Sequence, residues 1–183
     1  LVTSIDANAF PNTGYFGGGN PGSRSTMDKV TYSTDTTAAV PGAFLSVGRS
    51  GLAATGNSTA GYFGGGAGFP SQNSTMDKVT YSSDTTAAVP GAFLIAARSD
   101  LAATGNSTAG YFGGGAGPRS TMDKVTYSTD TTAAVSGANL SVARYNLAAS
   151  SARANALPLI GPAPSSPAVR FTDNTPSPNT GYF

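Results

Sequence analysis

The sequence predicts an all-β fold built from a repeated unit of four short antiparallel strands. Three observations lead there. GYFGGG stands at Gly14–Gly19, Gly61–Gly66 and Gly110–Gly115, STMDKVTYS at 25–33, 74–82 and 120–128, and DTTAAV at 35–40, 84–89 and 130–135, so a unit of about 46–49 residues recurs almost unchanged. Gly, Asn, Asp and Pro divide each unit into short segments rich in β-branched and aromatic side chains, as strands and turns require. No segment carries the i, i+3, i+4, i+7 apolar pattern of an amphipathic helix over a useful length.

Residues 1–13 form an N-terminal segment or partial unit, residues 14–150 hold the three repeats, and residues 151–183 form a Pro/Ala/Ser-rich variant segment leading into a further repeat. Within a repeat the first strand is LAATGN, at Leu52–Asn57 and Leu101–Asn106. Its closing Gly-Asn (Gly56-Asn57, Gly105-Asn106) suggests a tight hairpin that uses positive φ. The second strand is the GYFGGG segment, whose glycines mark unusual backbone geometry or close approach to a neighbour. The third is MDKVTYS, in which Asp28, Val30 and Tyr32 alternate with Met27, Lys29 and Thr31. Val30 and Tyr32, with Val79, Tyr81, Val125 and Tyr127, are expected to face a neighbouring sheet. The fourth is TTAAV, ended by Pro41 or Pro90, which suits an edge strand. In the variant segment Ala168–Thr172 reads as one more strand, and PNTGYF at 178–183 duplicates PNTGYF at 11–16.

Four antiparallel strands in such a period describe the blade of a β-propeller. Here the residues resemble the kelch repeat, with its Gly-Gly doublet, third-strand Tyr and Arg between one blade and the next. The matching positions are Gly17, Gly18, Tyr32 and Arg49, then Gly64, Gly65, Tyr81 and Arg98, then Gly113, Gly114, Tyr127 and Arg144. The fourth-strand tryptophan of kelch blades is absent, and small TTAA stands there. A closer likeness is to degenerate kelch-like arrays in long uncharacterised proteins of marine phages. The resemblance implies kelch-like propeller blades, about four blade equivalents here; the alternative is an open or linear β-repeat array. Closed propellers need about four to eight blades. The chain is therefore expected to close a four-bladed ring, to share a ring with other chains, or to be one window of a longer array.

Composition removes several functions. Net charge is +1, which gives no electrostatic basis for nucleic-acid binding. No apolar run is long enough for membrane insertion as a helix. Cysteine, histidine, glutamate and tryptophan are absent, which rules out disulfides and thiolate metal sites and leaves little for acid–base chemistry. Asp, Lys and Arg recur identically in every repeat, whereas a catalytic centre needs one asymmetric constellation. No enzyme activity, cofactor or metal is expected. Each repeat carries two Asp (Asp28, Asp35), one Lys (Lys29) and one Arg (Arg49), and reads as internally balanced, with Arg able to bridge blades to carboxylates or carbonyls.

The loop between GGG and STMDKV changes in length and chemistry while the segments beside it do not, reading NPGSR, AGFPSQN and AGPR. Variation confined to one loop of a repeat scaffold marks a candidate contact surface, here Asn20, Arg24, Phe69, Gln72, Asn73 and Arg119. The expected function is a structural or adhesive repeat protein: a fibre, tail or decoration component of a virion, or part of a cell surface or extracellular filament. It would act by rigid display and self-association, as a homo-oligomer or with the remainder of a longer array. The alternative is a carbohydrate- or protein-binding propeller module that grips a glycan or surface protein with its loops. Either places the chain outside the cell or on a virion surface.

Overall fold

A computed structural model describes residues 12–68 and 70–151. Residues 1–11, the expected strand at 168–172, the terminal GYF and Phe69 lie outside the described residues. The described chain is all-β, with thirteen strands in four antiparallel sheets and three short 3-10 turns.

Each repeat folds as one sheet whose strands are neighbours in chain order. The first sheet is β1 (Thr13–Gly17), β2 (Met27–Thr31) and β3 (Thr36–Ala39). The second and third have four strands each. β4 (Ala53–Gly56) and β5 (Ala60–Gly64) begin the second sheet. A minor hairpin of β6 (Ala67–Gly68) and β7 (Ser71–Gln72) follows, before β8 (Met76–Thr80) and β9 (Thr85–Ala88) complete that sheet. The third sheet is β10 (Ala102–Gly105), β11 (Ala109–Gly113), β12 (Met122–Thr126) and β13 (Thr131–Ala134). The register repeats from sheet to sheet: Phe16 lies opposite Asp28, Phe63 opposite Asp77 and Phe112 opposite Asp123. β9 and β13 are edge strands, and the segment after each turns away in a 3-10 turn, Pro90–Ala92 and Ser136–Ala138. Proline has no N–H to lose at such an edge.

Local chemistry sets the turns. Between the third and fourth strands Asp35, Asp84 and Asp130 adopt φ of 51°, 52° and 51°, a left-handed conformation that Asp tolerates. The first hairpin differs from the expectation. Gly56 and Asn57 are not in the positive-φ region. Instead the Asn57 Oδ1 accepts hydrogen bonds from the Thr59 N–H (2.9 Å) and the Ala60 N–H (3.0 Å), so the amide side chain shapes the loop. Asn106 does the same for Thr108 and Ala109. One glycine of each triplet is obligatory. Gly65 has φ +70°, and a Cβ there would stand 2.7 Å from the Arg98 carbonyl oxygen; Gly18 and Gly114 repeat this against Arg49 and Arg144.

The hydrophobic core lies between sheets. Met27, Ala43 and Leu45 of the first repeat cluster with Phe63 and Val79 of the second. Tyr62, Met76, Ala92 and Leu94 of the second cluster with Leu101, Phe112, Val125 and Tyr127. Val79 and Val125 are fully buried, as the alternation predicted, and Tyr127 is buried too. The first sheet departs from this expectation. Tyr32 is 58% exposed, because no described sheet covers that side of β2.

Candidate functional site

Of the residues singled out by the repeat, Arg49, Arg98, Tyr81 and Tyr127 lie at the junctions between consecutive sheets, whereas Tyr32 and Arg144 do not, and the two junctions have nearly the same construction. Arg49 leaves the first repeat and enters the second sheet. Its Nη2 lies 2.9 Å from the Asp77 Oδ2, and both side chains are fully buried. The same nitrogen donates to the Phe63 carbonyl at 3.0 Å. Arg98 repeats this one unit later, with its Nη2 2.5 Å from the Asp123 Oδ2 and its Nη1 donating to the carbonyls of Gly114 and Thr121. The carboxylates also accept backbone N–H groups from the preceding repeat, Ser46 to Asp77 and Ile95 to Asp123. Burial lowers the Arg49 pKa from its ordinary value, and the Asp77 charge and hydrogen bond oppose that shift. A buried ion pair contributes little net stability but is costly to break, so it favours one relative placement of the two sheets.

A second clasp lies nearer solvent. Lys29 and Tyr15 of the first sheet both hold Asp84, in the β8–β9 turn of the second; Lys29 Nζ is 2.5 Å from Oδ2 and the Tyr15 hydroxyl donates to Oδ1. Lys78 and Tyr62 hold Asp130 in the same way. The hydrogen bonds from Lys29 and Tyr15 lower the Asp84 pKa. Burial raises that of Asp130, but Lys78 and Tyr62 outweigh it and the net shift is downward. Tyr15 and Tyr62 are pushed up by burial and by their bonds to these carboxylates. The tyrosine rings stack across the junctions, Tyr15 on Tyr81 at 5.1 Å between centroids and Tyr62 on Tyr127 at 4.8 Å. Thr86 and Thr132 donate to the carbonyls of Ala43 and Ala92 in the preceding repeat's 3-10 turn.

The charges therefore pair between repeats, although each repeat carries two of either sign at these positions. Within one sheet the Asp lies on the face opposite the Lys, as β-strand alternation demands, so each must find its partner in an adjacent unit. Arg as a bridge was legible in the sequence. The Lys–Tyr–Asp clasp was missed, although the unchanged GYF, DK and DTT in all three copies were its signal.

The repeat glycines Gly17, Gly64 and Gly113 sit where a Cβ would meet the sulfur of Met27, Met76 and Met122. Arg144 is exposed, unlike Arg49 and Arg98. The variable loops are tied into the scaffold by their backbones. Arg24 N–H donates to Gly19, Asn73 N–H to Gly66, and Arg119 pairs with Arg144 in an isolated bridge. Gln72 Nε2 reaches the Ser99 hydroxyl, whereas Asn20 and Arg24 are exposed. At the Asn-Ser-Thr hairpins, a cleft of about 340 Å³ is lined by Asn57, Thr59, Thr108, Lys124 and Tyr127 among others. No group of three or more acidic side chains able to hold a metal ion is found among the described residues. No helix among the described residues is long and apolar enough to cross a membrane.

The chain matches no protein-family model and no curated protein.

Proposed function

We propose that this chain is a non-catalytic structural or adhesive repeat protein whose sheets are kelch-like propeller blades, displayed on a virion, cell surface or extracellular filament. It acts by rigid display of its loops and by self-association. The observation that carries this reading is the repeated junction: two buried Arg–Asp pairs, two Lys–Tyr–Asp clasps and two apolar clusters link three sheets in series. Such an array favours fixed spacing over conformational change. The buried and clasped charges are engaged with one another, which leaves them poorly placed to act on a substrate. The test is sedimentation velocity and electron microscopy of the purified chain. Regular oligomers or filaments are expected; a monodisperse monomer would overturn self-association.

The cleft at the Asn-Ser-Thr hairpins favours one second reading, a glycan-binding module. Its hydroxyl, amide and tyrosine lining is the chemistry that hydrogen-bonds and stacks on sugars. Saturable binding to a glycan array, abolished by Thr108→Ala together with Asn57→Ala, would favour it.

A further inference from the structure

The two outer faces of the described array carry the two halves of the junction that occurs twice inside it. On the outer side of the third sheet stand Arg144, equivalent to Arg49 and Arg98, and Lys124 with Tyr111, equivalent to the Lys–Tyr pairs that clasp Asp84 and Asp130. Lys124 lies over the Tyr111 ring at 6.0 Å, as Lys29 does over Tyr15. On the outer side of the first sheet stand Asp28, equivalent to Asp77 and Asp123, and Asp35, equivalent to Asp84 and Asp130. Among the described residues none of Asp28, Asp35, Lys124 and Arg144 has an ion-pair partner. The apolar groups match as well. Phe16 is 68% exposed, whereas its equivalents Phe63 and Phe112 are 5% and 0% exposed inside the junctions. The third sheet departs from the repeat at Ser136 and Asn139, yet keeps Arg144, Lys124 and Tyr111.

Resting on the self-associating scaffold reading, we propose that copies of this chain join head to tail, the third sheet of one copy receiving the first sheet of a second copy in the geometry of the internal junctions. Arg144 then pairs with Asp28 of the second copy, and Lys124 and Tyr111 clasp its Asp35. Tyr32 of the second copy stacks on Tyr111, as Tyr127 does on Tyr62. Thr37 donates to the Ala138 carbonyl, as Thr132 does to Ala92. The complementarity is of opposite charges and of apolar surface, and one copy's two faces are not self-complementary. The contact is therefore heterologous and builds a ring or a filament according to whether its rotation closes. Two chains supply six repeat sheets, leaving aside the minor hairpin of each, within the range of about four to eight blades that closed propellers use.

The experiment is sedimentation velocity on the full chain, on Asp28→Arg, on Arg144→Asp, and on an equimolar mixture of the two variants. Circular dichroism and thermal melting of the dilute variants check that each remains folded, as expected for exposed positions. The wild type is expected to assemble with concentration. Each variant alone brings like charges together and is expected to associate about a hundredfold more weakly or less. Mixing restores opposite charges at every junction and is expected to recover assembly. Wild-type assembly that neither variant weakens would overturn this docking while leaving the scaffold reading in place, and so would weakening that the mixture does not relieve. A wild type that stays monomeric at every concentration would overturn both.

Discussion

Replacing Asp77 by alanine should destabilise the chain far more than the same change at Asp28, although the two occupy the same position of the repeat. The Asp77 and Arg49 side chains are both 0% exposed. Without the carboxylate, the guanidinium stays buried with only the Phe63 carbonyl as acceptor among the described residues, where its Nε and Nη1 already lack a partner. The Ser46 N–H loses its acceptor at the same time. An uncompensated buried charge of this kind costs about 3–5 kcal/mol. Asp28 is exposed and without an ion pair among the described residues, so its removal from the dilute, unassembled chain should change stability by no more than about 0.5 kcal/mol. The assay is urea unfolding followed by far-ultraviolet circular dichroism and tyrosine emission, since the chain has no tryptophan. With a slope of about 2 kcal/mol per molar urea, Asp77→Ala should lower the midpoint by about 2 M. A third variant isolates the cause. Arg49→Met with Asp77→Leu removes both charges at similar volume and should recover most of the loss. A midpoint shift for Asp77→Ala that is no larger than that for Asp28→Ala would refute the reasoning, as would a double variant no better than the single one.

Acid should loosen the outer clasps first. Asp84 and Asp130 have lowered pKa values in the folded chain, so their contribution is present above the ordinary carboxylate value of about 4 and fades as pH falls through the folded values; urea midpoints measured down the acid range should show this, and Lys29→Met with Lys78→Met should flatten it. Alkali acts through the stacked rings. Burial raises Tyr81 to about 12, so its contribution is complete below the ordinary tyrosine value and is lost as pH rises from about 10 toward that figure, which phenolate absorbance will follow. Gly65→Ala should cost well over about 1 kcal/mol, because it adds a steric clash at the Arg98 carbonyl to left-handed backbone, whereas Gly117→Ala, at φ +76° with open space around it, should cost only about 1 kcal/mol; the same unfolding assay separates them. Asn106→Ala removes the acceptor for the Thr108 and Ala109 N–H groups and should lower stability by about 1–2 kcal/mol in that assay.

The strands and their order were legible because each is a short β-branched or aromatic segment bounded by a turn residue, and antiparallel neighbours in chain order need no long connection. The partners of the charges were not legible, for a reason of symmetry. In a near-identical repeat, Asp77 could pair with the Arg of its own unit or of the one before, and the sequence is the same in both cases. Only the placement of Lys78 and Asp77 on opposite faces of β8, with Arg49 reaching in from the preceding repeat, decides it. Tyrosine shows the same limit. Tyr32 and Tyr127 share their neighbours in sequence, yet one is 58% exposed and the other 6%. Their difference is set by which sheet stands beside them. The first hairpin was misread for a local reason. Gly-Asn tolerates positive φ, but Asn57 can also accept two backbone N–H groups at once, and that satisfaction of otherwise unpaired donors prevails.

A repeat that buries its core between units has a consequence that no single unit can avoid. Every internal unit uses both faces, one on each neighbour, and the outermost described units have one face each with no neighbour among the described residues. Repeat arrays that stop in water cover those faces with a polar surface. The first sheet here keeps the repeat sequence and so keeps Phe16 and Tyr32 where its successors bury Phe63 and Tyr127. The third keeps Arg144 and Lys124, whose equivalents are clasped inside the array. The two faces differ in kind, one offering carboxylates and aromatic rings, the other cations and the carbonyl of a 3-10 turn. Each matches the other and neither matches itself. In the proposed head-to-tail contact such a surface selects direction as well as partner, since a second copy would add in one orientation only. The polarity of that proposed assembly would follow from where the Asp and the Lys fall on the two sides of one five-residue strand.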